Sequence, residues 1–449
     1  LQQGSPGDRA ALCFGVPGTS PVQRDLHCVN QPTPAIVAQG AVRRLPRIAL
    51  WLFCAAYVLP GFIDRAPWKS ADMTAFGYML ALAHGASGWL HPLLLGLPPE
   101  TDGPLPYWLG ALALQAAPSW ITPAFAARIP FVILLSLTLV ATWYGIYYLA
   151  RSPQAQPVRF AFGGEAKPAD YARAMADGGL LALVACLGLA QLSHEISPAL
   201  TQLCFTALTF YAVAAAPYRT VGPAIGLVVG MTGLVASGAP TMAVLFAAGS
   251  ALLCLAEPGQ SPAARRRSLF WVCGIVVVIL LAGSLAQWLD LWRWRAIVPE
   301  NRWVTWRNLG RLLLWFTWPA WPLAVWTVWR WRHQLASREL SRHLAVPLWF
   351  VLVSLGATVV LEPADRALML GMPALATLAA FALPTLKRSV TSLIDWFTLL
   401  FFTASAIAIW VVWISLQTGF PRQPAANVER LAIGFKPTFS FLAFLVALA

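Results

Sequence analysis

The chain has 449 residues, of which 58% are hydrophobic and 11% charged, with a mean hydropathy of +0.65. Soluble globular chains carry about 25% charged and about 45–50% apolar residues, so a soluble enzyme is excluded, and a disordered chain with it. The formal net charge of +13 is the loop bias of a membrane protein and does not point to nucleic acid.

In chain order, residues 1–46 stand apart: Gly, Pro, Gln and Arg in no period, without the features of a signal peptide. They read as a disordered leader, with a mis-called translation start as one explanation. Cys13 and Cys28 lie there. Cys54, Cys186, Cys204, Cys254 and Cys273 sit in apolar runs, as small buried hydrophobes do, with no metal-type spacing. Residues 47–449 read as one transmembrane domain. Apolar stretches run near 48–63, 129–150, 178–196, 198–216, 220–237, 240–256, 269–289, 311–329, 345–361, 367–384, 392–415 and 435–449. A crossing needs about 20 residues, so the expectation is an all-α polytopic membrane protein with about twelve spans. The last stretch ends in apolar sequence, which reads as a truncated piece of something longer.

With the N-terminus in the cytoplasm and the spans alternating, one set of loops collects the basic residues. These are Arg151, Arg159, Lys167 and Arg173; Arg219; Arg265, Arg266 and Arg267; Arg330, Arg332, Arg338 and Arg342; and Lys387 and Arg388. Basic clusters in alternate short loops follow the positive-inside rule and predict a multi-pass protein of the inner (plasma) membrane.

The exterior side then receives the segment 64–128 with Asp64, Asp72, Glu100 and Asp102, a tight turn at His194-Glu195, and charged segments at 290–311 and 362–366. Long loops in compact proteins are functional or disordered. Short helical patterns at 73–84 and 105–117 favour function here. Segment 290–311 sets Arg293, Arg295, Arg302, Arg307 and Arg311 on the side that should be poor in basic residues. Either they bind a lipid phosphate, which guanidinium meets bidentately, or they snorkel in a belt with Trp292, Trp294, Trp303 and Trp306. Asp72 and Glu195 are carboxylates near membrane depth, where charge is costly and function is the default reading. Asp64, beside Arg65, reads more simply as a solvated cap. His84, His91 and His194 share no ligand spacing, and neither a zinc nor a phosphate-loop motif is present, so no metal or other cofactor is expected.

Several segments carry a family resemblance. W-K-S-A-D-M-T-A-F-G-Y-M-L (68–80), G-W-L-H-P-L-L-L-G (88–96), E-T-D-G-P-L-P-Y-W-L-G-A (100–111) and A-R-I-P (127–130) resemble the first periplasmic loop of GT-C glycosyltransferases. The members in view are the aminoarabinose–lipid A transferases and the protein O-mannosyltransferases. V-A-S-G-A-P-T-M-A (235–243) and L-E-P-A-D-R-A-L-M-L-G-M-P-A-L-A (361–376) are weaker matches. Two departures stand out. The acidic pair is Ala71-Asp72, with one carboxylate, and Asp102-Gly103-Pro104 stand where the family has a lysine before two prolines.

The resemblance implies transfer of a sugar from a polyprenyl-phosphate donor to a lipid, glycan or protein acceptor outside the membrane, amid membrane lipids. It implies Asp72 as general base and Glu195 as supporting acid, with Asp64, Lys69, Asp102 and His194 near the substrates. Arg293, Arg295, Arg302, Arg307 and Arg366 would then face the donor phosphate. The alternative is a lipid or small-solute transporter, or a non-catalytic lipid-binding protein. Transporters place charges near the midplane on broken helices and show internal repeats, whereas here the charges gather on one face and no repeat links the halves.

Overall fold

The computed structural model describes residues 33–42, 45–63, 67, 69–99, 103–256, 262–292, 303–337, 340–431, 434 and 436–448. Among these, every predicted apolar stretch carries helix, and β-pairing is confined to two isolated bridges. The first half contains α1 (Arg47–Val58), α2 (Ser70–Ala83), α3 (Leu105–Ala116), α4 (Pro123–Ala150), α5 (Pro168–Ala185), α6 (Leu187–Leu192), α7 (Pro198–Ala215) and α8 (Val221–Ala236). The second contains α9 (Pro240–Ala256), α10 (Pro262–Trp288), α11 (Trp303–Phe316), α12 (Ala320–Arg330), α13 (Arg342–Val360), α14 (Ala364–Met369), α15 (Met372–Ala382) and α16 (Arg388–Thr418). Proline opens α4, α5, α7, α9 and α10. Its missing amide costs nothing in a first turn, where that donor has no partner within the helix. The protein is an all-α polytopic membrane protein.

The twelve stretches are not twelve equal spans. Among the described residues five helices are long and apolar enough to cross a membrane: α4, α7, α10 from Arg265, α13 and α16. Four more are apolar but shorter: α1, α8, α9 and Met372–Thr385. The stretch at 178–196 is divided at Cys186 into α5 and α6, and that at 311–329 is divided before Ala320 into α11 and α12. The stretch at 435–449 is helical over Phe441–Leu448. Pro319, which has no amide to donate, accounts for the second break. The two breaks face each other. Leu187 N donates to the Trp318 carbonyl at 3.0 Å, and Cys186 Sγ lies 3.9 Å from the Thr317 carbonyl. Each thereby supplies a partner for backbone groups that an apolar surrounding would leave unsatisfied.

The core forms where α7 lies between α4 and α8, with α13 and α15 closing it. Gly222, Gly226 and Gly230 recur every fourth residue on α8, so its backbone can come close to a neighbour. A Cβ at Gly230 would lie 2.4 Å from Thr209 Oγ1 and 2.9 Å from the Phe205 carbonyl. At the other extreme, only 6% of the most apolar window of α16 is buried. Such a surface is compatible with lipid and not with water.

The two ends of the bundle differ in charge. At one end the basic loops meet: Arg267 Nη2 donates to the Arg219 carbonyl at 3.3 Å, and Gln334 Nε2 to the Gln154 carbonyl at 3.4 Å. The buried Arg342 donates there to the Val213 carbonyl. Loops that the sequence assigned to one side of the membrane therefore share one end of the structure. Residues 33–42, expected within the disordered leader, are ordered against this same end. Val158 N donates to the Ala35 carbonyl at 2.9 Å, and Gln39 receives Lys167 N at 2.7 Å while donating to Asp170 Oδ2 at 3.0 Å. Ala35 is fully buried against Trp331, Leu344 and Leu378. The rest of that leader, to residue 32, lies outside the described residues.

Candidate functional site

The opposite end is built from four pieces, the first two close in sequence and the others distant: the last turn of α1, the start of α2, the start of α4 and the Ser193–Ser197 turn between α6 and α7. Arg128 and Arg151 mark the two ends of α4, about 35 Å apart at 1.5 Å per residue. The short helices predicted within segment 64–128 are present as α2 and α3. They pack together, with Gln115 Nε2 reaching the Ala83 carbonyl at 3.2 Å and the Tyr78 and Tyr107 rings 5.3 Å apart. Gly103 seats this segment on the α8–α9 turn. A Cβ there would stand 2.1 Å from Gly238 N, so only glycine allows the two backbones to meet. Gly103 is one of the departures from the family pattern, and the contact gives it a structural reason.

Asp72 lies in the first turn of α2, where an acid complements the helix dipole, yet it is 1% exposed. Its Oδ2 accepts from Arg128 Nη2 at 2.9 Å and its Oδ1 from Ile196 N at 2.8 Å. Arg128 is fully buried and lies 3.5 Å through Nη1 from the His194 carbonyl. One carboxylate and one guanidinium thus tie together α2, α4 and the 193–197 turn. The expectation of Asp72 as the base meets a physical obstacle here: both oxygens are committed, and neither faces solvent.

A second ion pair lies beside the first. Lys69 Nζ is 2.6 Å from Glu195 Oε1 and 3.4 Å from the Gln191 carbonyl. The two partners differ in access, the lysine side chain being 27% exposed and the glutamate 3%. The inner pair is sealed, whereas the outer one presents its cation at the rim.

His194 holds the turn from beneath. Its Nε2 is 3.0 Å from the Tyr57 carbonyl, which can only accept, so Nε2 carries the proton. In the neutral ring Nδ1 then accepts from Ser193 Oγ at 3.2 Å, and Tyr57 OH lies 3.2 Å from that hydroxyl. The Tyr57 and Phe62 rings pack on the imidazole at 5.3 and 5.2 Å. With both nitrogens used inside the protein, His194 braces the turn and does not face a substrate in this arrangement.

Of the residues singled out by sequence, the structure brings together Lys69, Asp72, His194 and Glu195. Arg307, exposed on α11, and Arg366, half-buried on α14, belong to helices that both pack against α6, which leads into the same turn. Asp64, Glu100, Asp102, Arg293, Arg295 and Arg302 lie outside the described residues. Arg128 was missed as a site residue. An arginine inside an apolar span is costly enough to signal a function or a partner, and A-R-I-P displays it plainly.

No protein-family profile and no curated protein sequence matches the chain. Two crystal structures do, both of ArnT from Cupriavidus metallidurans. The one bound to undecaprenyl phosphate aligns with a TM-score of 0.55 and 13% identity over 83% of this chain. The apo form aligns with a TM-score of 0.53 and 13% identity over 82%. The chain spans just under two thirds of those proteins, 65% and 63%. At this identity the likeness establishes architecture alone: the chain has an ArnT-like fold.

Proposed function

We propose that the chain is an integral-membrane glycosyltransferase that moves a sugar from a polyprenyl-phosphate donor to a lipid, glycan or protein acceptor. The site would face the periplasm, with the basic end and the N-terminus in the cytoplasm of an inner-membrane protein. The observation that carries this reading is the paired-charge cluster of Lys69, Asp72, Arg128 and Glu195. It sits at the bundle end opposite the basic loops, on a fold shared with a protein solved with undecaprenyl phosphate bound.

In such a transfer the acceptor oxygen attacks the sugar C1, and the bond from C1 to the donor phosphate oxygen breaks. The electron pair leaves with the polyprenyl phosphate, and the acceptor proton passes to a carboxylate. Asp72 is committed to Arg128 and Ile196 N, so its proposed role becomes positioning of the 193–197 turn, and the base falls to Glu195. Lys69, Arg307 and Arg366 would stabilise the leaving phosphate, joined by Arg293, Arg295 and Arg302 from segment 290–311. Asp64 and Asp102 belong to the same proposal, on the acceptor side.

Mass spectrometry of envelope lipids and glycans from cells with and without the gene tests the reading. A sugar-bearing species should vanish with the gene. Turnover should fall by about 10²–10⁴-fold in Glu195→Gln, the contribution of a general base. An unchanged profile would remove the assignment.

A further inference from the structure

Resting on that reading, we infer that Lys69 is an exchangeable cation: donor phosphate takes it from Glu195, which uncovers the capped carboxylate oxygen to act as the base when the donor is bound. Two ion pairs sit side by side, and their burial separates their roles. Arg128 is enclosed at 0% exposure and holds Asp72 from within, so neither partner can reach an incoming lipid. Lys69 keeps 27% of its side chain exposed while its partner Glu195 keeps 3%. A phosphate arriving at the rim therefore meets the ammonium before it meets the carboxylate. Lysine suits such an exchange. Its ammonium is a point charge on a flexible four-carbon stem, able to swing between anions without the planar geometry a guanidinium demands.

The exchange has a chemical consequence. With Lys69 at 2.6 Å, the Glu195 carboxylate is capped by a cation on Oε1. Once the ammonium follows the phosphate, the carboxylate is left buried without its counter-charge. Its Oε1 is then open to receive the acceptor proton. Donor and base are thereby coupled through one side chain, and an acceptor arriving alone finds Oε1 capped.

The test uses the full chain in phosphatidylcholine nanodiscs, with undecaprenyl phosphate as the probe and binding followed by tryptophan fluorescence. In the wild type the lipid must compete with Glu195 for Lys69. Glu195→Gln should therefore tighten binding by roughly two- to fivefold, the worth of a partly exposed ion pair. Glu195→Asp, which keeps the charge and shortens the reach, should tighten it by less. Lys69→Gln should weaken binding by about tenfold or more, since a charge-assisted contact is lost. The Lys69→Gln/Glu195→Gln double variant should bind like Lys69→Gln alone, because the competitor matters only while Lys69 is present. Undecaprenol, lacking the phosphate, should not distinguish Glu195→Gln from wild type. If wild type binds undecaprenyl phosphate but Glu195→Gln binds it equally or more weakly, the exchange is overturned and the proposed function survives. If wild type does not bind the lipid at all, the proposed function fails, and the exchange with it.

Discussion

Replacing Asp72 with asparagine keeps an acceptor for Ile196 N but removes the negative charge that Arg128 meets at 2.9 Å. Arg128 is fully buried and has no other carboxylate partner among the described residues, so its guanidinium is left uncompensated. Breaking one side of a buried ion pair costs about 3–5 kcal/mol, because the remaining charge has lost its counter-ion and cannot regain water. Arg128→Met alone should cost a similar amount. The double variant Asp72→Asn/Arg128→Met removes both charges and should recover most of the loss, and the asparagine oxygen still accepts from Ile196 N. The coupling energy of this cycle should therefore be at least about 3 kcal/mol, toward the upper limit seen for neighbouring groups. Equilibrium unfolding by SDS in mixed micelles, followed by intrinsic tryptophan fluorescence, gives the four free energies. If Asp72→Asn costs less than about 1 kcal/mol, or if the double variant costs the sum of the singles, the pair does not hold the site together and the positioning role is refuted.

Three other outcomes follow from the geometry. Gly103→Ala should undock the segment that carries α2 and α3, since its Cβ would sit 2.1 Å from Gly238 N; faster proteolysis between 85 and 103 with the bundle intact is the expected readout. Gly230→Ala should destabilise the α7–α8 contact by about 1–3 kcal/mol through overpacking, measured in the same SDS titration. Ala86→Cys and Arg266→Cys, both at exposed positions, should label oppositely with a membrane-impermeant thiol reagent in intact spheroplasts, the first reacting and the second protected. Reaction at position 266 from outside would reverse the proposed orientation.

Composition and hydrophobic pattern by themselves determined the class of this protein, because a bilayer leaves so few solutions for a polar backbone. The short helices after the first span were legible to within a few residues, and so was the grouping of basic loops, now seen in the contact of Arg267 with Arg219. Asp72 and Glu195 were visible because charge near membrane depth is conspicuous, and Lys69 through the family resemblance. What the chain order could not state was who pairs with whom. That Asp72 is consumed by Arg128, with 55 residues between them, while Glu195 waits behind an accessible lysine, depends on how α2, α4 and the 193–197 turn meet in space. The broken helices belong to the same category. Hydropathy averages over a window, so it sees one apolar stretch at 178–196 and another at 311–329; the facing breaks are stable only because Leu187 finds the Trp318 carbonyl across the fold. Local pattern is set by the solvent each residue prefers, and tertiary structure decides the partners, because a buried charge or an unpaired amide is satisfied only by a group that folding carries to it.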